Sequence, residues 1–156
     1  MAVGTATAEV YLTLAEASET STLSPLEREY IAVQTARSNG CRYCFTAHLV
    51  RALLLGADPD DLNGLGTRSL GSRIDAILSF AAVVLATRGA VADDLIAATH
   101  AAGIDDRGLV DIVTVVTENV LGNSINNLAG TPPEPGLQRL LARRGITAAI
   151  AELPTT

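Results

Sequence analysis

Two cysteines and a histidine stand close together in an otherwise aliphatic chain, in the run Cys41-Arg42-Tyr43-Cys44-Phe45-Thr46-Ala47-His48. On a helix turning about 100° per residue, Cys41, Cys44 and His48 fall within roughly 60° of one another. Cys44 and His48 are i, i+4 neighbours, so thiol and imidazole can interact. Ala52 and Leu55 continue the stripe, which predicts that this face turns inward. A helix start just after Gly40 would also set both thiols among unpaired amides that favour an anion. Only the thiolate is nucleophilic, and an unperturbed cysteine, with a pKa of about 8.5, is barely ionised at neutral pH. A second cysteine three residues away can trap an oxidised first one as a disulfide before over-oxidation proceeds.

Thiol attack on a peroxide expels hydroxide or alkoxide, a poor leaving group until it is protonated. His48 suits the acid–base task, and a carboxylate would orient and charge-balance its ring. Glu27 and Glu29 are the candidates in the preceding helix. Glu27 is already engaged at the helix start, whereas Glu29 is flanked by Ala32, Val33 and Ala36, so the residues favour Glu29. Two other uses of the cysteines compete. They could be small buried hydrophobes beside a core histidine. They could also bind zinc, but with His48 they supply three ligands, and Glu29 or His100 would have to be the fourth.

Helices must position these groups. Thr5 to Ser18 reads as the first. Ser24-Pro25-Leu26-Glu27 is a strong start for the second, with Ser at the cap, Pro at the first helical position and Glu closing a capping box. That helix runs to about Asn39 and stops at Gly40, which suits a left-handed cap. The third begins at or near Cys41 and continues to Leu55, ahead of Gly56. Asp58 caps a short segment around Pro59 to Leu62. Ser72–Thr87, Asp93–Ala102 and Asp105–Leu128 follow, the last able to bend near Gly122, and an amphipathic tail spans Leu137 to Leu153. No strand pattern and no linker appears, so the expectation is one all-α domain over residues 1–156.

Composition narrows the function classes. Formal charge is −6, and all eleven basic residues are arginine. No basic stripe is interleaved with aromatics, which argues against nucleic acid as a partner. The N-terminus lacks the marks of a secretory signal. The longest apolar stretch, Ile74 to Ala86, is interrupted by Asp75 and Ser79 and is too short to span a bilayer. A cytoplasmic protein with thiols reduced at rest is expected, and in that setting paired cysteines suggest redox or metal chemistry more than a structural staple. His100, near a helix end, reads as structural. Asn123, Asn126 and Asn127 share a helix face and read as satisfying backbone near Gly130, with pocket lining as the alternative. Arg139, Arg143 and Arg144 read as a solvated face, with partner docking as the alternative.

The run from Leu23 to Glu29, then Ala36-Arg37-Ser38-Asn39-Gly40-Cys41-Arg42-Tyr43-Cys44 and His48, resembles the alkylhydroperoxidase D-like branch of the carboxymuconolactone decarboxylase family. The family pattern has a Glu twelve residues before a Cys-x-x-Cys and a His four residues after it. The resemblance implies an all-α fold with the cysteine pair at a helix N-terminus and homo-oligomeric assembly. It also implies a catalytic set of Glu29, Cys41, Cys44 and His48. Cys44 would attack peroxide, Cys41 would resolve it, and Glu29 and His48 would relay protons. Some peroxidase members carry a further His one residue before the second cysteine, where this chain has Tyr43. No cofactor is implied; the partners would be a peroxide and a thiol reductant, either a small redox protein or a low-molecular-weight thiol. A redox sensor or disulfide carrier is the alternative, and a decarboxylase-like lyase a weaker one, because that branch generally lacks the cysteine pair.

Overall fold

The structure, a computed structural model, describes residues 4–146. Eight α-helices and no strand occur among the described residues: α1 (Thr5–Glu19), α2 (Pro25–Ser38), α3 (Arg42–Leu54), α4 (Pro59–Gly64), α5 (Ser72–Thr87), α6 (Asp93–Ala101), α7 (Asp106–Ala129) and α8 (Pro135–Arg143). The all-α expectation holds, and most boundaries fall within a residue of those expected. The tail differs: α8 starts at Pro135 and ends at Arg143, and the remainder of the expected stretch beyond Ile146 lies outside the described residues.

Local chemistry sets the ends. The Ser24 hydroxyl accepts from the Glu27 N–H at 3.3 Å, and the Glu27 carboxylate accepts from the Ser24 N–H at 2.7 Å. This capping box starts α2 with Pro25 in its first turn. At the other end Gly40 adopts φ +65°. Its N–H donates to the Arg37 carbonyl and the Cys41 N–H to the Ala36 carbonyl, a Schellman closure that only a residue tolerant of positive φ completes without strain. The same Cys41 is the N-cap of α3. One residue therefore ends one helix and begins the next.

Helix α2 is central, packing against α3, α5 and α7, while α1 lies on α7, α6 on α5 and α8 on α3. Apolar faces divide into two clusters. One gathers Tyr30, Val33, Phe45, Leu49, Leu62 and Leu141 around both cysteines; the other gathers Ile31, Ile77, Phe80, Ile112 and Val115 between α2, α5 and α7. Helix α7 runs through Gly122 as regular α-helix. The missing side chain there serves close approach instead, because a Cβ on Gly122 would stand 3.3 Å from the Tyr11 ring of α1. No helix among the described residues is long and apolar enough to cross a membrane.

Candidate active site

The turn between α2 and α3 delivers the cysteines. Cys41 and Cys44 are joined as a disulfide with Cα atoms 5.4 Å apart, within the normal span for such a bond. The Cys44 N–H, one of the unpaired amides of the α3 start, points at Cys41 Sγ at 3.3 Å. In the reduced pair, that amide would favour a thiolate at Cys41. Both cysteines are buried, Cys41 at 1% exposed and Cys44 at 5%. The Schellman turn tucks Cys41 into the core, and Cys44, one turn on, reaches a cavity of about 280 Å³ that His48 also lines.

One turn further along α3, His48 Nδ1 lies 2.7 Å from Glu29 Oε2 on α2. A carboxylate only accepts, so Nδ1 carries the shared proton and Nε2 is the free ring nitrogen. Glu29 Oε1 pairs with Arg51 Nε at 2.9 Å, and the Glu29 side chain is only 7% exposed. A buried carboxylate with both oxygens engaged by donors is held in one orientation. Glu27 faces elsewhere, bonded to Arg73 at 2.7 Å. Burial opposes the Glu27 charge, but the Ser24 and Arg73 hydrogen bonds outweigh it and hold its carboxyl below the usual glutamate range. Glu29 thus holds His48, and His48 shares one cavity with Cys44, itself bonded to Cys41. The inward stripe ends earlier than expected: Ala52 is buried, but Leu55 is 47% exposed because it is the α3 C-cap.

Three residues join this group that motif spacing alone does not single out. Arg51 continues the Cys44, His48 stripe at i+7, a position that could have revealed it. Asn126 on α7 places Nδ2 3.5 Å from Cys44 Sγ, and Asn123 lines the same cavity. Asn126 also donates to its own helix at the Gly122 carbonyl (3.0 Å), and Asn127 donates to the Asn39 carbonyl at 2.8 Å, latching α7 to the end of α2. The face divides, with backbone satisfaction at Asn127, pocket lining at Asn123, and both at Asn126.

Tyr11 borders this cavity and two neighbouring ones of about 260 and 460 Å³. Burial and then the Glu118 carboxylate push its phenol above the ordinary 10.0, so it stays a neutral hydrogen-bond donor near neutral pH. His100 pairs with Asp106 at 3.1 Å. Among the described residues, no three His, Cys, Asp or Glu side chains are arranged to hold a metal. Arg139 and Arg143 are exposed on α8, and Arg144 is exposed at its C-cap.

Residues 5–102 match the Carboxymuconolactone decarboxylase family, a segment that contains the cysteine pair, His48 and Glu29. The chain is similar in structure to an uncharacterized peroxidase-related protein from Silicibacter sp. TM1040, with a TM-score of 0.75 and 25% sequence identity. That similarity covers 83% of this chain and 71% of the other. No curated protein matches. With well over half of its length matched and the helical fold shared, the chain belongs to the carboxymuconolactone decarboxylase family.

Proposed function

We propose that the chain is a thiol peroxidase with Cys44 as the attacking thiol, Cys41 as the resolving thiol, His48 as acid–base and Glu29 as its orienting partner. One observation carries the reading: Cys44, bonded to Cys41, opens on the cavity lined by His48, whose other ring nitrogen is held by Glu29. In the reduced protein, His48 Nε2 accepts the proton of the Cys44 thiol, and the thiolate so formed attacks the terminal peroxide oxygen. The S–O bond forms as the O–O bond breaks, and the departing alkoxide takes a proton from His48 to leave as an alcohol. Sulfur is oxidised to sulfenic acid. The Cys41 thiolate then attacks Cys44, expelling hydroxide that is protonated to water, and the disulfide forms. An external dithiol or a low-molecular-weight thiol restores both thiols and leaves as its own disulfide.

Family membership and the peroxidase-related neighbour support the oxidoreductase class. A decarboxylase-like lyase would have no use for a connected cysteine pair. A disulfide carrier with little peroxide turnover is favoured by Tyr43, which lines the cavity where some peroxidase relatives place a histidine. Titrating the reduced chain with cumene hydroperoxide and hydrogen peroxide, by mass measurement and by steady-state consumption with several thiol donors, separates the two. Stoichiometric disulfide formation with turnover supports the peroxidase. A pair that stays reduced under peroxide, but exchanges with disulfides, makes it a carrier.

We also infer that the chain acts in the cytoplasm as one helical domain and as a homo-oligomer. Ser18 is the only buried residue of α1, and Val10, Leu12, Val110 and Val113 are exposed on the α1 and α7 surfaces. A second copy would cover them. A monomer in light scattering at micromolar concentration would contradict the assembly.

A further inference from the structure

We propose that two carboxamides of α7, Asn126 and Asn123, form an anion-stabilising pair at Cys44, with Asn126 donating to the thiolate sulfur and Asn123 to the oxygen this sulfur acquires. The Asn123 share rests on the thiol-peroxidase reading; the Asn126 share requires only a reduced Cys44.

The two hydrogens of Asn126 Nδ2 have distinct destinations. One bonds the Gly122 carbonyl at 3.0 Å and fixes the rotamer; the other is directed at Cys44 Sγ at 3.5 Å. A disulfide sulfur is a weak acceptor and a thiolate a strong one, so the contact gains strength when the pair is reduced. Among the described residues, no other side chain donates to this sulfur. The α3 terminus spends its amide on Cys41, so the Asn126 amide does for Cys44 what the helix start does for Cys41.

Asn123 lies three residues back on the same face of α7. It is 1% exposed and lines the Cys44–His48 cavity, and its Nδ2 has no hydrogen-bond partner among the described residues. A buried donor left unpaired weakens a fold, and a leucine of similar size would avoid that penalty. Its neighbour Asn119 shows the contrast, with Nδ2 bonded to its own helix at the Val115 carbonyl at 2.8 Å. The open amide therefore suits an acceptor that arrives in the cavity. When the Cys44 thiolate attacks a hydroperoxide, the S–O bond forms, the O–O bond breaks and His48 protonates the departing alkoxide. The oxygen left on sulfur accepts from Asn123. The other ionisable groups lining the cavity are Tyr11, Tyr43 and Arg51, with Glu29 behind His48 and Arg51, so neither amide adds charge to the site.

The test uses the full chain carrying Cys41→Ser, in which Cys44 is the sole thiol. Thiolate absorbance is followed against pH, and sulfenic acid formation with cumene hydroperoxide is followed by trapping. Asn126→Ala is expected to raise the Cys44 titration midpoint by about one unit, the tenfold change of one charge-assisted hydrogen bond. Asn123→Leu should leave that midpoint in place, hold or raise Tm, and slow sulfenic acid formation roughly 10²-fold. Asn123→Ala, if needed, reads the same rate without the bulk. An unmoved midpoint in Asn126→Ala overturns the Asn126 assignment. A parental rate in Asn123→Leu with a lowered Tm makes Asn123 a packing residue and overturns the rest. If the Cys41→Ser parent itself is inert to the hydroperoxide, the peroxidase reading falls and takes the Asn123 share with it, while the titration still decides Asn126.

Discussion

If Glu29 acts only through His48, removing its charge should matter only while the imidazole is present. Glu29→Gln keeps the shape and exchanges the carboxylate at 2.7 Å from Nδ1 for a neutral amide. A hydrogen bond to a charged group contributes about 1.5–3 kcal/mol. Losing it from an imidazolium that forms or holds its proton in the transition state should slow peroxide-dependent oxidation roughly 10- to 150-fold. His48→Ala removes the acid itself and should cost on the order of 10²–10⁴-fold. The double variant should then be no slower than His48→Ala. Stopped-flow oxidation of the reduced chain gives all four rates, and the cycle yields a coupling energy close to the whole Glu29→Gln effect. Stability should follow the same order as rate. Glu29→Gln leaves only the exposed Arg51 without its partner, a loss of about 1 kcal/mol or less. His48→Ala leaves a buried carboxylate with a single donor and should unfold sooner in urea. Additive rate effects in the double variant would refute the argument, because Glu29 would then act on the reaction independently of the imidazole.

The two sulfurs should fail differently. Cys44→Ser should abolish oxidation by peroxide, whereas Cys41→Ser should react once and accumulate sulfenic acid, seen as a mass gain; the reverse pattern exchanges their roles. With a thiol reductant present, a trapped mixed disulfide should map to Cys44. Gly40→Ala forces an alanine to φ +65° and should cost about 1–2 kcal/mol by denaturant titration; an unchanged midpoint would show that the turn relaxes freely. Glu27 carries a pH signature. Its carboxyl is held below the ordinary 4.5 in the fold, so its stabilising contribution is complete above that value and is lost as pH falls through the lower folded value. The Tm gap between wild type and Glu27→Gln should therefore be constant near pH 7 and close below about pH 4.5; a gap that widens on acidification contradicts the assignment.

What was legible in the sequence was mostly local chemistry. The Ser24–Glu27 box, Gly40 and the Cys41, Cys44, His48 stripe each act within a turn or two, so residue type and spacing are sufficient. Glu29 was separable from Glu27 because a capping box occupies one carboxylate and leaves the other free. Leu55 misled, since angular position on a helix says nothing about where the helix ends. The α7 amides were harder still. Asn126 reaches Cys44 across 82 positions of sequence, a juxtaposition created by the packing of α3 against α7 and carried by no local pattern. Tyr11 depends on the same long-range packing, through the space that Gly122 leaves for its ring.

In the proposed cycle, charge stabilisation and access divide the work between the two sulfurs. Electrostatics at the α3 start favour negative charge on Cys41, whose sulfur receives the Cys44 amide. Access favours Cys44, which reaches the cavity while Cys41 is enclosed. A nucleophile that peroxide cannot reach gains nothing from a low pKa, so access decides the oxidative step. In the reductive step the requirements change. An incoming thiolate attacks the sulfur it can reach, again Cys44, and the rate then depends on how well the displaced thiolate leaves. Lower pKa makes a better leaving group, and the displaced sulfur is Cys41 at the helix terminus. In the proposed cycle the same arrangement serves both directions: Cys44 meets each external reactant, and Cys41 forms the disulfide in one direction and departs as a stabilised thiolate in the other.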